Sequence, residues 1–155
     1  MADIQLIKHA PGAPGLRLFG LGPNLIPKRG LMKLKHLFNK NAFWAEGRQY
    51  WQLRKMLRGS RVVVSAWRGS KMVGFGRASG DGIYRAVLWD VVVNNDHQGL
   101  GIGSKIVDAL LNARSMKNAE RIYLMTTNCE DFYKVVGFKD VNEQKLMVFK
   151  KAEFN

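Results

Sequence analysis

Three glycines fall within five residues in the stretch NNDHQGLGIGSK, which begins at Asn94. The stretch follows the apolar run VLWDVVV and precedes a segment with helical apolar spacing. A helix start leaves backbone N–H groups without intrahelical partners and carries partial positive charge, so a glycine-rich strand-to-helix turn can bind a phosphate group. A turn without any ligand is the alternative, because glycine is also common in ordinary turns.

The glycine spacing argues against two familiar nucleotide loops. A dinucleotide fingerprint requires G-x-G-x-x-G in a parallel βαβ array, whereas this stretch reads G-x-G-x-G. A Walker loop requires G-x-x-x-x-G-K-[ST], whereas here Ser104 precedes Lys105. We therefore do not expect a dinucleotide or ATP to bind.

A single acid, Asp90, lies inside the apolar run LWDVVV. A buried carboxylate is costly unless it has a partner or faces a cleft, and partial burial would raise its pKa toward a value useful for a base. Asp90 is therefore a candidate for binding or deprotonating an amine, and a structural pairing with an arginine is the alternative. Strand alternation predicts Asp90 and Val92 on one face, with Trp89, Val91 and Val93 on the other. Trp89 could be an aromatic wall for a substrate ring or a core residue.

The elements that position these residues begin with a helical N-terminal part. Residues 10–30 hold all four prolines and predict a loop, with a short strand at 16–19. From Leu31, apolar residues recur at steps of three and four and predict a helix. A second helix is predicted over 45–57, and Gly59 ends it.

Beyond Gly59 the apolar residues take on the spacing of strands. The runs 61–67, 71–78 and 83–93 are separated by turn residues and predict an antiparallel meander. After the glycines the pattern predicts, in order, a helix to about residue 117, a strand at 121–127, a short helix that Gly137 ends, and a strand at 144–151. The prediction is one α+β domain over residues 1–155, with a mostly antiparallel sheet, flanking helices and one β-α-β crossover through the glycine-rich turn. The place of residues 1–30 stays open.

Composition limits the classes of protein that this chain could be. No apolar run approaches the roughly 20 residues of a membrane helix, and the first residues lack a signal-peptide apolar region. Cys129 is the single cysteine, and no zinc spacing is present, so we expect neither a disulfide nor a metal. The net charge is +13, of which residues 1–58 carry +9. Such a segment can attract an anionic ligand or nucleic acid, or simply be a solvated surface.

The segment QGLGIG, Gln98 to Gly103, matches the pattern [Q/R]-x-x-G-x-[G/A]. This pattern resembles the acetyl-CoA pyrophosphate loop of the GCN5-related N-acetyltransferases, the GNAT family. The surrounding order agrees, with an apolar strand before the loop, an amphipathic helix after it, and FYKVVGF at 132–138, which is similar to the family's tyrosine segment. The resemblance covers about residues 60–150 and implies a GNAT-like fold. The run from GFGRASGDG to WDVVV is similar to the cyanobacterial and plastid branch, which includes enzymes similar to plant serotonin N-acetyltransferase.

The resemblance implies acetyl-CoA as co-substrate and a set of residues that bind it. In the family the strand before the loop commonly bulges and leaves backbone groups free for the pantetheine arm. The expected cofactor-binding residues are Val91, Val93, Gln98, Gly99, Leu100, Gly101, Ile102, Gly103, Ser104, Asn128 and Tyr133. Asn128 departs from the pattern, because the family's asparagine position, seven residues before the tyrosine, is Thr126 here. A simple turn role is the alternative for Asn128. We call residues 98–104 the glycine loop.

The resemblance also implies catalytic roles. Tyr133 corresponds to the family's tyrosine, and a phenol can protonate the leaving thiolate as the C–S bond breaks. A half-buried helix aromatic is the alternative role for Tyr133. Asp90, as base or amine anchor, and Trp89 are the expected substrate-binding residues. Transfer is expected to be direct, because Cys129 is not in an obvious nucleophile setting.

Three functions follow, in order of preference. The first is acetylation of a primary amine, such as the arylalkylamines serotonin and tryptamine. The second is acetylation of protein lysines or N-termini, and the third is a non-catalytic basic module that binds nucleic acid. The expected partner is a small amine substrate or, for the second function, a protein substrate. We expect no membrane partner and, for the first two functions, no nucleic acid. A homodimer is compatible with the resemblance. The expected location is the cytoplasm of a cyanobacterial-type cell, or the plastid stroma if the protein is organellar.

Overall fold

The computed structural model describes residues 3–151, which fall into two compact units that divide after Met125. The first unit contains the strands β1 (Ile4–His9), β2 (Val62–Arg68), β3 (Lys71–Gly80), β4 (Arg85–Val93) and β5 (Arg121–Tyr123). It also contains the helices α1 (Pro14–Phe19), α2 (Gly30–Asn41), α3 (Tyr50–Arg58) and α4 (Ile102–Leu111). The second unit contains α5 (Glu130–Val135).

The five strands form one sheet in the order β1-β2-β3-β4-β5. The antiparallel pairing of β2, β3 and β4 is the predicted meander. Strand β1, which was not predicted, pairs antiparallel with β2, and β4 pairs parallel with β5. A parallel pair needs a crossover connection, and α4 supplies it after the glycine loop. The predicted α+β fold with one β-α-β crossover is therefore confirmed.

Five local predictions differ from the structure, the first of which is the strand predicted over 121–127, since β5 ends at Tyr123. Residues 16–19 are helical rather than extended, because Pro14 starts a short helix and Gly20 ends it in the left-handed region at φ 60°. Helix α3 begins at Tyr50 instead of residue 45, since Gly47 at φ 80° interrupts the chain there. Helix α4 ends at Leu111, where Asn112 caps it. The strand predicted over 144–151 is not formed in the described residues, and strand patterns depend strongly on context.

The two faces of the sheet are covered by different helices. Helices α1, α2 and α3 share one hydrophobic core with inward residues of the strands, including Trp67, Phe75 and Val92. Helix α4 packs on β2, β3 and β4, and its close approach depends on glycines of β3. A Cβ added at Gly74 or Gly76 would lie 2.7 Å from a side-chain carbon of Ile106. These glycines therefore fix the distance between the sheet and the helix that carries the glycine loop.

Among residues 3–151, no helix has both the length and the hydropathy that crossing a bilayer requires.

Candidate functional site

Strand β4 contains a bulge at Asp90. The ladder with β3 pairs Arg77 with Trp89 and Phe75 with Val92, so β4 has one residue more than β3 between these pairs. Asp90 takes up the extra residue with φ 53°, in the left-handed region that aspartate and asparagine tolerate better than most residues. The family resemblance had implied a bulge here, although the sequence itself does not show one.

The bulge overturns the predicted alternation of side chains. Residues directly opposite each other in an antiparallel pair share a face, so Trp89 lies on the face of Arg77. The carboxylate of Asp90 bonds to the same Arg77, so Trp89 and Asp90 lie on one side of β4 rather than on opposite sides. The inserted residue breaks the two-residue period at this point.

Two arginines hold the Asp90 carboxylate. Arg48 Nη2 donates to Asp90 Oδ1 at 3.1 Å, and Arg77 Nε donates to Asp90 Oδ2 at 2.7 Å. The side chain of Asp90 is 5% exposed, while those of Arg48 and Arg77 are 29% and 18% exposed. Arg77 Nη1 also reaches Ser60 Oγ at 3.4 Å. We call Arg48, Asp90 and Arg77 the Asp90 cluster.

The pKa of Asp90 is shifted downward, opposite to the rise expected from burial. Burial alone raises this pKa, as the sequence argument assumed, but the hydrogen bonds and positive charges of Arg48 and Arg77 outweigh burial, and the pKa is lowered. A carboxylate with a lowered pKa is a weak base at neutral pH. The geometry therefore favours the alternative, in which Asp90 pairs with arginine, over the base.

Trp89 is half-buried and its indole is fixed by a hydrogen bond. Its Nε1 donates to Ser79 Oγ at 2.8 Å, and the Arg77 guanidinium lies 6.0 Å from the ring centroid. A ring held in this way beside Asp90 has the rigidity that an aromatic wall requires.

The edge of β4 beyond the bulge extends past the β5 ladder. That ladder pairs Arg85, Ala86 and Val87 with β5 and ends at Val87–Tyr123. Strand β4 continues to Val93, so within residues 3–125 the stretch 88–93 lies beyond the paired part of β5. The backbone of Val91 and Val93 belongs to this stretch, as expected for groups that would bond a pantetheine arm.

The turn between β4 and the glycine loop is fixed by two asparagines. Asn94 is buried, its N–H donates to Val73 O at 2.8 Å, and its side chain accepts from Asp96 N at 2.9 Å. Asn95 N donates to Asn41 Oδ1 at 2.9 Å, which ties this turn to the end of α2. The residues before the glycine loop are therefore held by both the sheet and the helical segment.

The glycine loop leads into an uncapped helix start. Gly99 and Gly101 have φ values of 81° and 79°, and a Cβ on either would meet no atom within 4 Å. No side chain caps α4, and its first turn contains no acid. The first intrahelical bond runs from Lys105 N to Gly101 O, which leaves the N–H groups of the preceding turn available to an anion.

The remaining loop residues contribute differently to this arrangement. Ile102 is buried, so only its backbone can serve a ligand, whereas Leu100 is exposed. Gln98 donates from its side chain to Asn95 Oδ1 at 3.1 Å. With no carboxylate on the first turn of α4 and open space at two glycines, the residues present fit the pyrophosphate of acetyl-CoA.

Tyr133 lies in α5 of the second unit, packed between two other rings. Its ring centroid is 4.9 Å from that of Phe132 and 5.8 Å from that of Phe138, both edge-on. Phe138 N donates to Tyr133 O at 2.9 Å after the turn at Gly137. Burial, with a smaller contribution from Cys129, raises the pKa of Tyr133 to about 12. The phenol is therefore protonated at neutral pH, which is the state that an acid needs.

The residues around the predicted asparagine form a turn before α5. Cys129 N donates to Thr126 Oγ1 at 3.0 Å, and Cys129 Sγ lies 3.4 Å from Asn128 Oδ1. Asn128 thus participates in a turn, which was the alternative role for it. Its contact with acetyl-CoA stays a prediction.

In the first unit, Trp89 and Asp90 lie on β4, and the glycine loop begins in the turn that follows this strand. Sequence reasoning missed Arg48 and Arg77, because nothing in the chain indicates which of the 25 Lys and Arg residues would reach Asp90. It also missed Asn41, because this residue is 54 positions away from its partner Asn95 in the chain. Among the described residues no group of three or more His, Cys, Asp or Glu side chains could hold a metal ion.

Solved structures with this fold include proteins described as acetyltransferases. A GNAT-family protein from Streptococcus pneumoniae superposes with a TM-score of 0.72 over 97% of this chain and 100% of its own, at 24% identity. An aminoglycoside acetyltransferase from an uncultured soil metagenomic sample has a TM-score of 0.68 and 18% identity, with 97% of each chain covered. At these identities the likeness shows the fold.

The sequence comparisons define the family. The acetyltransferase (GNAT) family matches residues 31–138, and the chain belongs to this family. The match begins at α2, earlier than the resemblance read from the motifs alone. Serotonin N-acetyltransferase 2, chloroplastic, from Oryza sativa is 36% identical over 96 residues, which are 59% of this chain and 48% of the relative. GCN5-related N-acetyltransferase 1, chloroplastic, from Arabidopsis thaliana is 35% identical over 85 residues, or 54% and 43% of the two chains.

A third relative is the uncharacterized N-acetyltransferase ycf52 of Pyropia yezoensis, 34% identical over 87 residues, or 53% of this chain and 50% of the relative. The chain spans about half the length of the curated relatives that it matches. The predicted acetyltransferase family and its cyanobacterial and plastid branch are confirmed.

Proposed function

We propose that this protein transfers the acetyl group of acetyl-CoA directly to the primary amine of a small arylalkylamine, such as serotonin or tryptamine. The observation that carries this proposal is the sequence of a bulged β4, an open glycine loop and an uncapped α4 within one family-defining segment. The name of the rice relative supports the choice of an arylalkylamine.

Each part of the segment has a proposed task. The N–H groups at the start of α4 bind the pyrophosphate, and the β4 backbone at Val91 and Val93 holds the pantetheine arm. Trp89 lines the acceptor site and restricts how the ring of the amine can lie. Asp90 keeps Arg48 and Arg77 in place beside the reacting groups, with water removing the amine proton.

The substrate is tested by release of free thiol from acetyl-CoA. We expect turnover with serotonin or tryptamine in a panel that also contains a polyamine and lysine peptides. Binding of acetyl-CoA without turnover of any amine would refute the catalytic proposal. A strong salt dependence of DNA or RNA binding with no acetyl-CoA affinity would instead favour the nucleic-acid module.

Tyr133 is proposed to protonate the leaving thiolate. We expect Tyr133→Phe to lower kcat by about 10²- to 10⁴-fold, the usual contribution of a general acid, while acetyl-CoA binding is retained. The matched control is Tyr84→Phe, which removes a phenol from an exposed turn residue. Equal kcat values for the two variants would exclude an acid role for Tyr133.

Acetylation of protein lysines or N-termini is the second candidate. The basic segment 1–58 with its charge of +9 would suit an acidic protein partner, and a soybean relative named histone acetyltransferase TAP1 is 29% identical over 70 residues. Turnover of the lysine peptides alone would select this function. We further propose a plastid or cyanobacterial setting, because several relatives are named as chloroplastic.

A further inference from the structure

The Asp90 cluster contains two positive charges and one negative charge. The carboxylate bonds to both guanidiniums at 3.1 Å and 2.7 Å, so neither arginine has a carboxylate of its own. Arg48 is the more exposed of the two arginines, at 29% against 18%. One unit of positive charge is therefore left over, and it faces solvent mainly through Arg48.

The arginines still have donors for a second anion. A guanidinium has five N–H donors and no acceptor. Among the described residues, Arg48 bonds through its two Nη atoms, one of them only to the weak acceptor Met56 Sδ at 3.6 Å. Arg77 bonds through Nε and Nη1. These bonds leave three of the five N–H donors of each arginine, including Nε of Arg48 and Nη2 of Arg77, and guanidinium donors bind carboxylates strongly.

The Asp90 cluster adjoins the proposed binding site of the pantetheine arm. Asp90 directly precedes Val91, whose backbone is proposed to hold that arm. Arg48 Nη2 is 3.1 Å from the Asp90 carboxylate, so an anion bound to Arg48 would lie close to the place where the acceptor amine has to attack in the proposed function. An α-amino acid carries its amine and its carboxylate on the same carbon, and therefore matches this closeness.

Exposed aromatic side chains lie a few residues before Arg48 in the chain. Phe43 and Trp44 are 74% and 51% exposed and contact each other edge-on at 5.3 Å between centroids. Arg48 itself lies 5.2 Å from the ring centroid of Phe38. Phe38 is fully buried, whereas the half-buried Trp89 has its ring centroid 6.0 Å from the other guanidinium of the Asp90 cluster. Aromatic surface next to a cation favours a ligand with a flat apolar part and a negative charge.

We propose that the acceptor carries a carboxylate beside its amine, so that it is an aromatic α-amino acid, and that Arg48 binds this carboxylate. The proposal rests on the acetyl transfer of the proposed function and changes its preferred acceptor from a simple arylalkylamine to the corresponding amino acid. The neutral amine attacks the thioester carbonyl, the C–N bond forms, the C–S bond breaks, and the amine proton leaves to water. The thiolate takes up a proton, and the products are the N-acetyl amino acid and free CoA. An amine without the carboxylate would meet the net positive charge uncompensated.

The test compares matched pairs of acceptors with the full-length enzyme and saturating acetyl-CoA. The pairs are tryptophan with tryptamine and phenylalanine with phenethylamine, and tryptophan methyl ester keeps the bulk of tryptophan without its charge. Values of kcat/KM are expressed per neutral amine, because the amine pKa differs within each pair. We expect the acid to be preferred by about tenfold or more, the scale of one charge-assisted hydrogen bond, and the ester to lose this preference.

Variants assign the preference to Arg48. Arg48→Gln should bring the acid-to-amine ratio toward one, and Arg48→Lys should retain part of it. Arg54→Gln removes the same charge from an exposed position on α3 and should keep the wild-type ratio. If Arg48→Gln does not fold, the ester comparison decides.

The outcomes separate the two proposals. Turnover of tryptamine as efficient as that of tryptophan, or an unchanged ratio in Arg48→Gln, overturns the carboxylate site and leaves the proposed function intact. Absence of turnover with every small amine and amino acid refutes the proposed function itself, and the carboxylate site with it.

Discussion

Asp90→Asn tests whether the Asp90 cluster is an ion-pair anchor or contains a base. Asparagine has nearly the same shape as aspartate and tolerates the left-handed φ of 53°, so the substitution removes the charge with little backbone strain. Two arginines that are 29% and 18% exposed would then have no carboxylate between them.

The expected loss of stability follows from these contacts. Removing one partner of a buried ion pair costs about 3–5 kcal/mol. Because water still reaches both arginines, we expect the lower end, about 3 kcal/mol. For a chain of this length that corresponds to a fall in Tm of about 6–12 °C. The matched control is Asp108→Asn, which removes an exposed charge from α4 and should change Tm little.

The pH dependence gives the sign of the effect. The pKa of Asp90 is lower in the folded protein than in the unfolded chain, because Arg48 and Arg77 outweigh the effect of burial. The stabilisation is therefore present above the unfolded pKa, about 3.9, and is lost as the pH falls through the folded value. Urea unfolding at several pH values should show a difference between wild type and Asp90→Asn that is largest near neutral pH and shrinks in acid.

Two results would refute this reasoning. One is a stability difference below about 0.5 kcal/mol at neutral pH, which is the usual size of a surface effect. The other is a difference that does not change with pH. A loss of turnover in Asp90→Asn that is greatest at low pH, with stability intact, would instead restore the role of base.

Three further substitutions test the parts that position the glycine loop. Gly76→Ala should destabilise the protein by about 1–3 kcal/mol through overpacking against α4, and it should raise the KM for acetyl-CoA. The control Gly59→Ala, whose added Cβ would make only ordinary contacts, should have neither effect, and equal Tm values for the two variants would contradict the overpacking. Gly101→Ala should weaken acetyl-CoA binding, measured by calorimetry, because a φ of 79° is strained for a residue with a side chain. The control Gly47→Ala, with a similar φ of 80° outside the glycine loop, should lower the Tm without lowering the affinity for acetyl-CoA. Asn41→Ala should raise the KM for acetyl-CoA more than it lowers kcat, since it frees Asn95 N from α2, and an unchanged KM would show that this bond does not position the loop.

Local patterns were sufficient for much of the fold. Apolar spacing from Leu31 predicted α2, and the β-rich runs predicted β2, β3 and β4 close to their observed bounds. The strand predicted over 144–151 is not formed in the described residues, because strand formation depends on tertiary context. Two other misses have a cause in the backbone of one or two residues. Gly47 delays α3, and the Pro14 and Gly20 pair makes a helix of a segment that was predicted as a strand.

The sequence by itself determined the family and the glycine loop, because both depend on the order and spacing of neighbouring residues, which folding does not change. The tertiary structure alone decided the state of Asp90. A strand bulge turned Asp90 toward the face of Trp89, and arginines 42 and 13 residues away in the chain reached its carboxylate. A pKa depends on every charge within a few ångströms, and those neighbours come from distant parts of the chain. The expected rise from burial therefore became a decrease once Arg48 and Arg77 were in place.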